Sequence, residues 1–228
     1  SPPLLLTPRV RFLVREQHTM DEVLGRDPGA FLLAFEPLLD KYAVLLARGT
    51  TRYHGTKADR AVPIGHHHQR GVVLPLAVSA TGGVHNFSVQ AIAGCSSLSQ
   101  VNRHAGWGSW CQRQLEMRLV PSITLAAALH LTGDLPVREL KIDAQGVDFE
   151  LVRGTKPALL RRRVARIELE VRASDCNPLY NGQAGCDDVV DYMRQIGYAN
   201  TSRCPSKYWF NKWEYVQCER RLVFKRFW

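Results

Sequence analysis

Residues 9–49 read RVRFLVREQHTMDEVLGRDPGAFLLAFEPLLDKYAVLLARG, and this stretch decides the fold class. Arg9 to Arg15 alternates polar and apolar side chains as a half-buried strand does. Ala30 to Phe35 is a short apolar run bounded by Asp27-Pro28-Gly29 and Pro37, the pattern of a buried strand. One short helix fits between them. Pro37 suits the first turn of a second helix reaching about Arg48, with Leu38, Leu39, Tyr42, Leu45 and Leu46 near one face and Gly49 as its stop. The result is a β-α-β-α rhythm.

The same alternation continues outward. Gly71 to Ser79 and Val84 to Gln90 read as two strands joined by Thr81-Gly82-Gly83, a hairpin. Leu115 to Val120 is extended, and Pro121-Ser122 opens a helix whose Leu125, Ala128 and Leu129 share a face. Val137 to Ile142 is a strand; helices follow around Phe149 and Val152 and over about Lys156 to Arg163. Arg166 to Val171 (RIELEV) alternates as the next strand, and Cys186 to Ile196 is a helix capped by Gly197. Segments near 198–202 and 220–227 close the chain as an antiparallel hairpin. The expected fold is α/β and doubly wound: a mostly parallel sheet with helices on both faces and that hairpin at its C-terminal end. In such sheets ligands bind outside the carboxyl ends of strands, which directs attention to Glu16 onward, Glu36, Ser79 and Asp143 onward.

Composition bounds the classes. The 228 residues, 45% hydrophobic and 22% charged, suit one globular domain spanning 1–228 and exclude wholesale disorder or collagen-like repeats. No apolar run approaches the ~18 to 20 residues of a membrane helix, so no transmembrane segment is expected. The net charge of +9 is carried by 23 Arg against 7 Lys, and guanidinium groups favour bidentate contacts with carboxylates or phosphates, so an acidic partner surface is expected. No nucleic-acid motif accompanies Arg161-Arg162-Arg163 and Arg166, which equally suit the negative end of a helix.

The six cysteines admit three bridges or a set of buried thiols, and none of their spacings is the CxxC of a zinc ribbon. Four of them fall in a Cys- and aromatic-rich part, 173–228, which favours stapling in an oxidising compartment. The chain starts at Ser1 without a Met, and an organelle or secretory lumen reached after removal of a targeting segment is the expectation. His66-His67-His68 lacks a completing Cys or Asp pair and is read as solvated loop, so no metal is expected. Residues 91–114 form a long loop, of the kind that is functional or partner-facing. Tyr208, Trp209, Phe210, Trp213 and Tyr215 form an aromatic cluster that either docks a partner or packs on a sheet edge.

Two places carry candidate chemistry. Glu36 ends the second strand, where a carboxylate can take the ribose diol of a nucleotide-like cofactor or sit at the positive end of the following helix. Leu140 to Gly146 (LKIDAQG) sets charged and amide groups at the end of a buried strand before a turn-making glycine. There Asp143 and Gln145 line a cleft and orient cofactor or acceptor, or Asp143 caps a helix.

These features fall in a familiar order. AFEP at 34–37, LAVS at 76–79, the Thr124-Leu125 step, KIDAQG at 141–146, Gly154 and Glu168-Leu169-Glu170 together make the chain resemble the FkbM-type S-adenosylmethionine (SAM) dependent methyltransferases over about residues 9–200. KIDAQG resembles the family's K-I-D-V-E-G-A-E signature. The resemblance implies a seven-stranded Rossmann-like sheet, SAM held through Glu36 and Asp143, the two residues that match the family pattern, and methyl transfer to a hydroxyl, often on a sugar or polyketide. Gln145 is a further cofactor-binding candidate by its place in the cleft. His18 and Asp143 are general-base candidates by position.

The chain also departs from that family. Its first strand leads into Arg15-Glu16-Gln17-His18-Thr19-Met20-Asp21, where the family has a D-x-G-A-N-x-G loop whose glycines admit the cofactor. The signature's two glutamates are Gln145 and Asp148. The expectation is therefore a methyltransferase-fold protein that has lost efficient SAM binding and serves as a structural or assembly subunit of a larger complex. The alternative is an active FkbM-type O-methyltransferase acting on a sugar or small metabolite. A basic nucleic-acid-binding module rests on net charge alone.

Overall fold

A computed structural model describes residues 9–14, 27, 29–48, 70–105, 109–201, 203–204, 208–210 and 215–226. Seven strands pair in the order β3-β2-β1-β7-β8-β12-β9. They are β1 (Arg9–Val14), β2 (Ala30–Phe35), β3 (Gly71–Leu74), β7 (Val137–Ile142), β8 (Arg166–Arg172), β9 (Tyr198–Asn200) and β12 (Glu219–Arg226). The first five run parallel, whereas β12 lies antiparallel to both β8 and β9. A second sheet sets β4 (Ala77–Ser79) and β5 (Gly83–Gln90) on either side of β6 (Gln114–Thr124), and a third pairs β10 (Tyr208–Phe210) with β11 (Tyr215–Gln217). The helices are α1 (Leu39–Arg48), α2 (Leu125–His130), α3 (Asp148–Arg153), α4 (Pro157–Arg163) and α5 (Cys186–Gln195).

This architecture corrects the expected single doubly wound, mostly parallel Rossmann-like sheet. The strands are shared among three sheets that mix parallel and antiparallel pairs. The helices α2 to α5 all feed one core: Leu125, Leu129, Leu151, Leu160, Val189 and Met193 pack with Leu140, Ile142, Leu169, Leu222 and Phe224. Because strand side chains alternate, those strand residues lie on one face, and no described helix of this set covers the other. The closing strands are not a hairpin either, since β10 and β11 intervene and β12 inserts between β8 and β9.

Two local corrections have plain causes. Gly71 to Ser79 is not one strand: Pro75, which has no N–H for a ladder, separates β3 from β4, and β4 joins β6 instead of pairing with β5. The expected hairpin at Thr81-Gly82-Gly83 is thus a crossover around β6. Likewise Pro121 does not open a helix. It stays within β6, and α2 starts at Leu125, where the Thr124 hydroxyl accepts a hydrogen bond from the Ala127 amide at 3.1 Å as an N-cap.

All six cysteines are paired, as Cys95–Cys111, Cys176–Cys218 and Cys186–Cys204. Three disulfides in a chain of this size indicate an oxidising compartment and not the cytosol. Among the described residues no helix is long and apolar enough to cross a membrane.

Candidate functional site

The strand order reverses direction at β1, with β2 on one side and β7 on the other, and the carboxyl ends of β2 and β7 flank that point. Glu36 follows β2 and is almost fully buried. Its Oε1 accepts a hydrogen bond from the Leu38 amide at 3.0 Å, which fixes the carboxylate at the turn into α1. Next to it opens a small apolar pocket, lined among others by Phe35, Pro37, Leu76, Leu98, Ala144 and Val147. Glu36 thus sits between two wall residues, and the KIDAQG turn supplies the opposite wall.

That turn is held in one conformation by several independent constraints. Gln145 adopts a positive φ of 53°, and Gly146 follows at 98°. A Cβ on Gly146 would lie 2.5 Å from the Tyr180 ring, so glycine is required here for space as well as for backbone. The Asp148 carboxylate reaches back to accept hydrogen bonds from the Ala144 and Gly146 amides, both at 3.1 Å. The Gln145 backbone carbonyl accepts from the Ser97 hydroxyl at 2.5 Å, joining the turn to the loop between β5 and β6.

The Gln145 side chain is the hub of a polar cluster on the sheet's second face. Its Nε2 donates to Asp143 Oδ1 at 2.7 Å and to Glu170 Oε2 at 3.2 Å, while its Oε1 lies 3.0 Å from the Tyr180 hydroxyl. That hydroxyl also lies 3.2 Å from the Cys95 carbonyl. Arg221 reaches Asp143 Oδ2 at 3.4 Å, and Gln183 donates to Glu219 at 2.6 Å. A glutamate at 145 would set a third carboxyl against Asp143 and Glu170 with no N–H to offer either, so the amide suits this position.

Burial sets the protonation of this cluster. It pushes Asp148 up to about 7, with Asp143 adding in the same direction against the two amide hydrogen bonds. Burial also raises Glu170, reinforced by Asp143 and Glu219, and raises Glu219. Lys141, buried on the same face 4.0 Å from Glu168, is lowered by burial and then by Arg221. The arrangement can hold a proton near neutral pH at the pocket's edge.

The structure therefore brings Glu36, Asp143 and Gln145 to one end of the sheet, the first across the pocket from the other two. His18, the long stretch around His66-His67-His68, and Trp213 lie outside the described residues; the remaining aromatic cluster falls on β10 and β11. No group of metal-ligating side chains occurs among the described residues. Sequence reading missed Tyr180, Gln183, Glu219 and Arg221, which arrive from distant segments. The one available signal was alternation: RIELEV sets Glu168 and Glu170 opposite the apolar face. Comparisons with protein-family models, with curated proteins and with solved structures return no match for this chain.

Proposed function

We propose that this chain is a SAM-dependent O-methyltransferase of FkbM type acting on a hydroxyl of a sugar or small metabolite. The observation that carries the reading is the apolar pocket beside Glu36 at the point where the strand order reverses. Its walls are apolar, the chemistry that the faces of a purine ring would meet. The residues present suit the nucleoside half of the cofactor: Phe35, Leu98 and Val147 would flank the ring, and Glu36, next to Phe35 in the chain, would take ribose hydroxyls. When bound, SAM supplies an electrophilic methyl group. Gln145 and Arg221 orient Asp143, the described candidate for general base, and the pocket walls exclude water from the reacting groups. Work in an organelle or secretory lumen is supported by the three disulfides.

A second reading, a structural or assembly subunit without efficient SAM binding, draws on a specific observation. The carboxylates expected to hold cofactor already have internal partners: Glu36 takes the Leu38 amide, and Asp143 takes Gln145 and Arg221.

Calorimetric titration with SAM, paired with thermal melts, separates the two. Ligand at ~100 times its dissociation constant adds about 2.7 kcal/mol of stability. The enzyme reading expects saturable binding that Glu36→Ala abolishes while the fold survives. Absence of binding at millimolar SAM by a well-folded chain would select the structural subunit.

A further inference from the structure

The sheet β4-β6-β5 has an open edge. Strand β4 pairs with β6 only at Ser122 to Thr124, and β5 occupies the opposite side of β6. Among the described residues no strand pairs with the other edge of β6 from Gln114 to Pro121. The outer face of that edge is apolar, while the charges Glu116 and Arg118 fall on its inner face. Alternate residues Leu115, Met117 and Leu119 are 58%, 43% and 73% exposed, and Val84 on β5, opposite Pro121, is 66% exposed. The inner face of the same strand is anchored: Val120 packs with Leu38, Ala77 and Phe87, and Arg118 meets Asp40 at 2.7 Å as well as Glu116.

We propose that two copies of this chain pair antiparallel through β6 about a two-fold axis at Met117. The residues themselves set this register. Placing Met117 opposite its own copy puts Leu115 opposite Leu119 and Glu116 opposite Arg118, and symmetry repeats each match. Apolar meets apolar on the outer face and opposite charges meet on the inner face, the pairings that stabilise adjacent antiparallel strands. A shift of two residues between the strands loses the Glu116–Arg118 match. The pairing also gives partners to the outward backbone groups of the seven residues from Gln114 to Val120, the usual route of strand addition. It stands independently of the methyl-transfer reading, because β6 pairs through residues outside the pocket.

Sedimentation velocity over a range of concentrations tests this. The wild-type chain is expected to dimerise, and Glu116→Arg or Arg118→Glu alone should weaken the dimer by about tenfold or more, since each sets like charges opposite twice. Mixing the two variants should restore association as a heterodimer. One chain then carries arginine at both positions and the other glutamate at both, so opposite charges face each other again at each match. Circular dichroism checks that each variant is folded. As every native cysteine is in a disulfide, Met117→Cys should give an intermolecular disulfide on mild oxidation, while Val84→Cys, at a more exposed position, should not. A wild-type monomer at the highest attainable concentration overturns the proposal. So do charge variants that dimerise like wild type, a mixture that stays monomeric, or cross-linking that is equal at 84 and 117.

Discussion

The two faces of β7, β8 and β12 are made by the same strands and obey opposite chemistry. One presents Leu140, Ile142, Ile167, Leu169, Val171, Leu222 and Phe224 to four helices in a continuous apolar core. The other presents Lys141, Glu168, Glu170 and Arg221, leading to Asp143 at the end of β7. The first face gains by removing surface from water and tolerates no gap. The second gains little from its ion pairs, because burial costs each charge what pairing returns. Stability therefore resides on the apolar face. The charged face is a place where protons are held and a turn is positioned.

The largest effect should come from the bridge that borders the charged face. Cys176–Cys218 ties the segment after β8 to the start of β12 across 42 residues, and Ala173 packs on it. The loop-closure model assigns such a bridge about 4 kcal/mol, against about 3 kcal/mol for Cys95–Cys111 with its separation of 16. Denaturant melts of Cys176→Ala/Cys218→Ala and Cys95→Ala/Cys111→Ala should follow that order. Equal losses would mean that β12 holds its place by pairing alone.

Next come two neighbours on one strand. Leu169 is fully buried in the apolar core, and Leu169→Ala should cost about 3 kcal/mol through lost burial and the cavity left behind. Glu170→Gln keeps shape and acceptor at a carboxyl that burial already favours protonated, and should cost about 1 kcal/mol or less. Urea midpoints at neutral pH measure both. A Glu170→Gln loss as large as that of Leu169→Ala would erase the division between the faces.

How much of this was legible in the sequence follows from the range of each interaction. Local patterns placed β2 and β7 to the residue, and with them Glu36 and Asp143 at strand ends. The alternation in RIELEV separated apolar from charged side chains correctly. What failed depended on distant pairing: no local rule sends Ala77 to Ser79 to a different sheet from Gly71 to Leu74, and Pro75 is the only mark of the break. The hub at Gln145 was equally hidden. Tyr180 and Arg221 reach the Asp143–Gln145 pair from 35 and 78 residues away, so the turn reads as polar in sequence while its partners do not appear. The six cysteines signalled stapling, but their pairing is a property of the folded chain.

The effect most diagnostic for the charged face is a pH slope. Asp148 is raised by burial from an ordinary carboxylate value to about 7 in the folded state. Between the unfolded and folded values the native chain holds a proton that the unfolded chain has released, so unfolding free energy falls as pH rises. Its contribution is complete below the unfolded value, declines by at most about 1.4 kcal/mol per pH unit for one proton, and is lost above about 7. Glu170 and Glu219 shift in the same direction and add to the slope. Wild-type protein should therefore gain stability on acidification from pH 8 to pH 5, the opposite of a chain whose carboxylates are held by salt bridges. Asp148→Asn should flatten the slope between about pH 5 and 7, since nothing at that position titrates. It should also lower stability in acid, because an amide has one oxygen to offer the Ala144 and Gly146 N–H groups where the carboxyl offers two. Chemical denaturation at half-unit pH steps resolves both. A variant as pH-sensitive as wild type would move the titrating proton to Glu170 and Glu219, making the charged face a coupled cluster in which the turn carboxylate is only a backbone clasp.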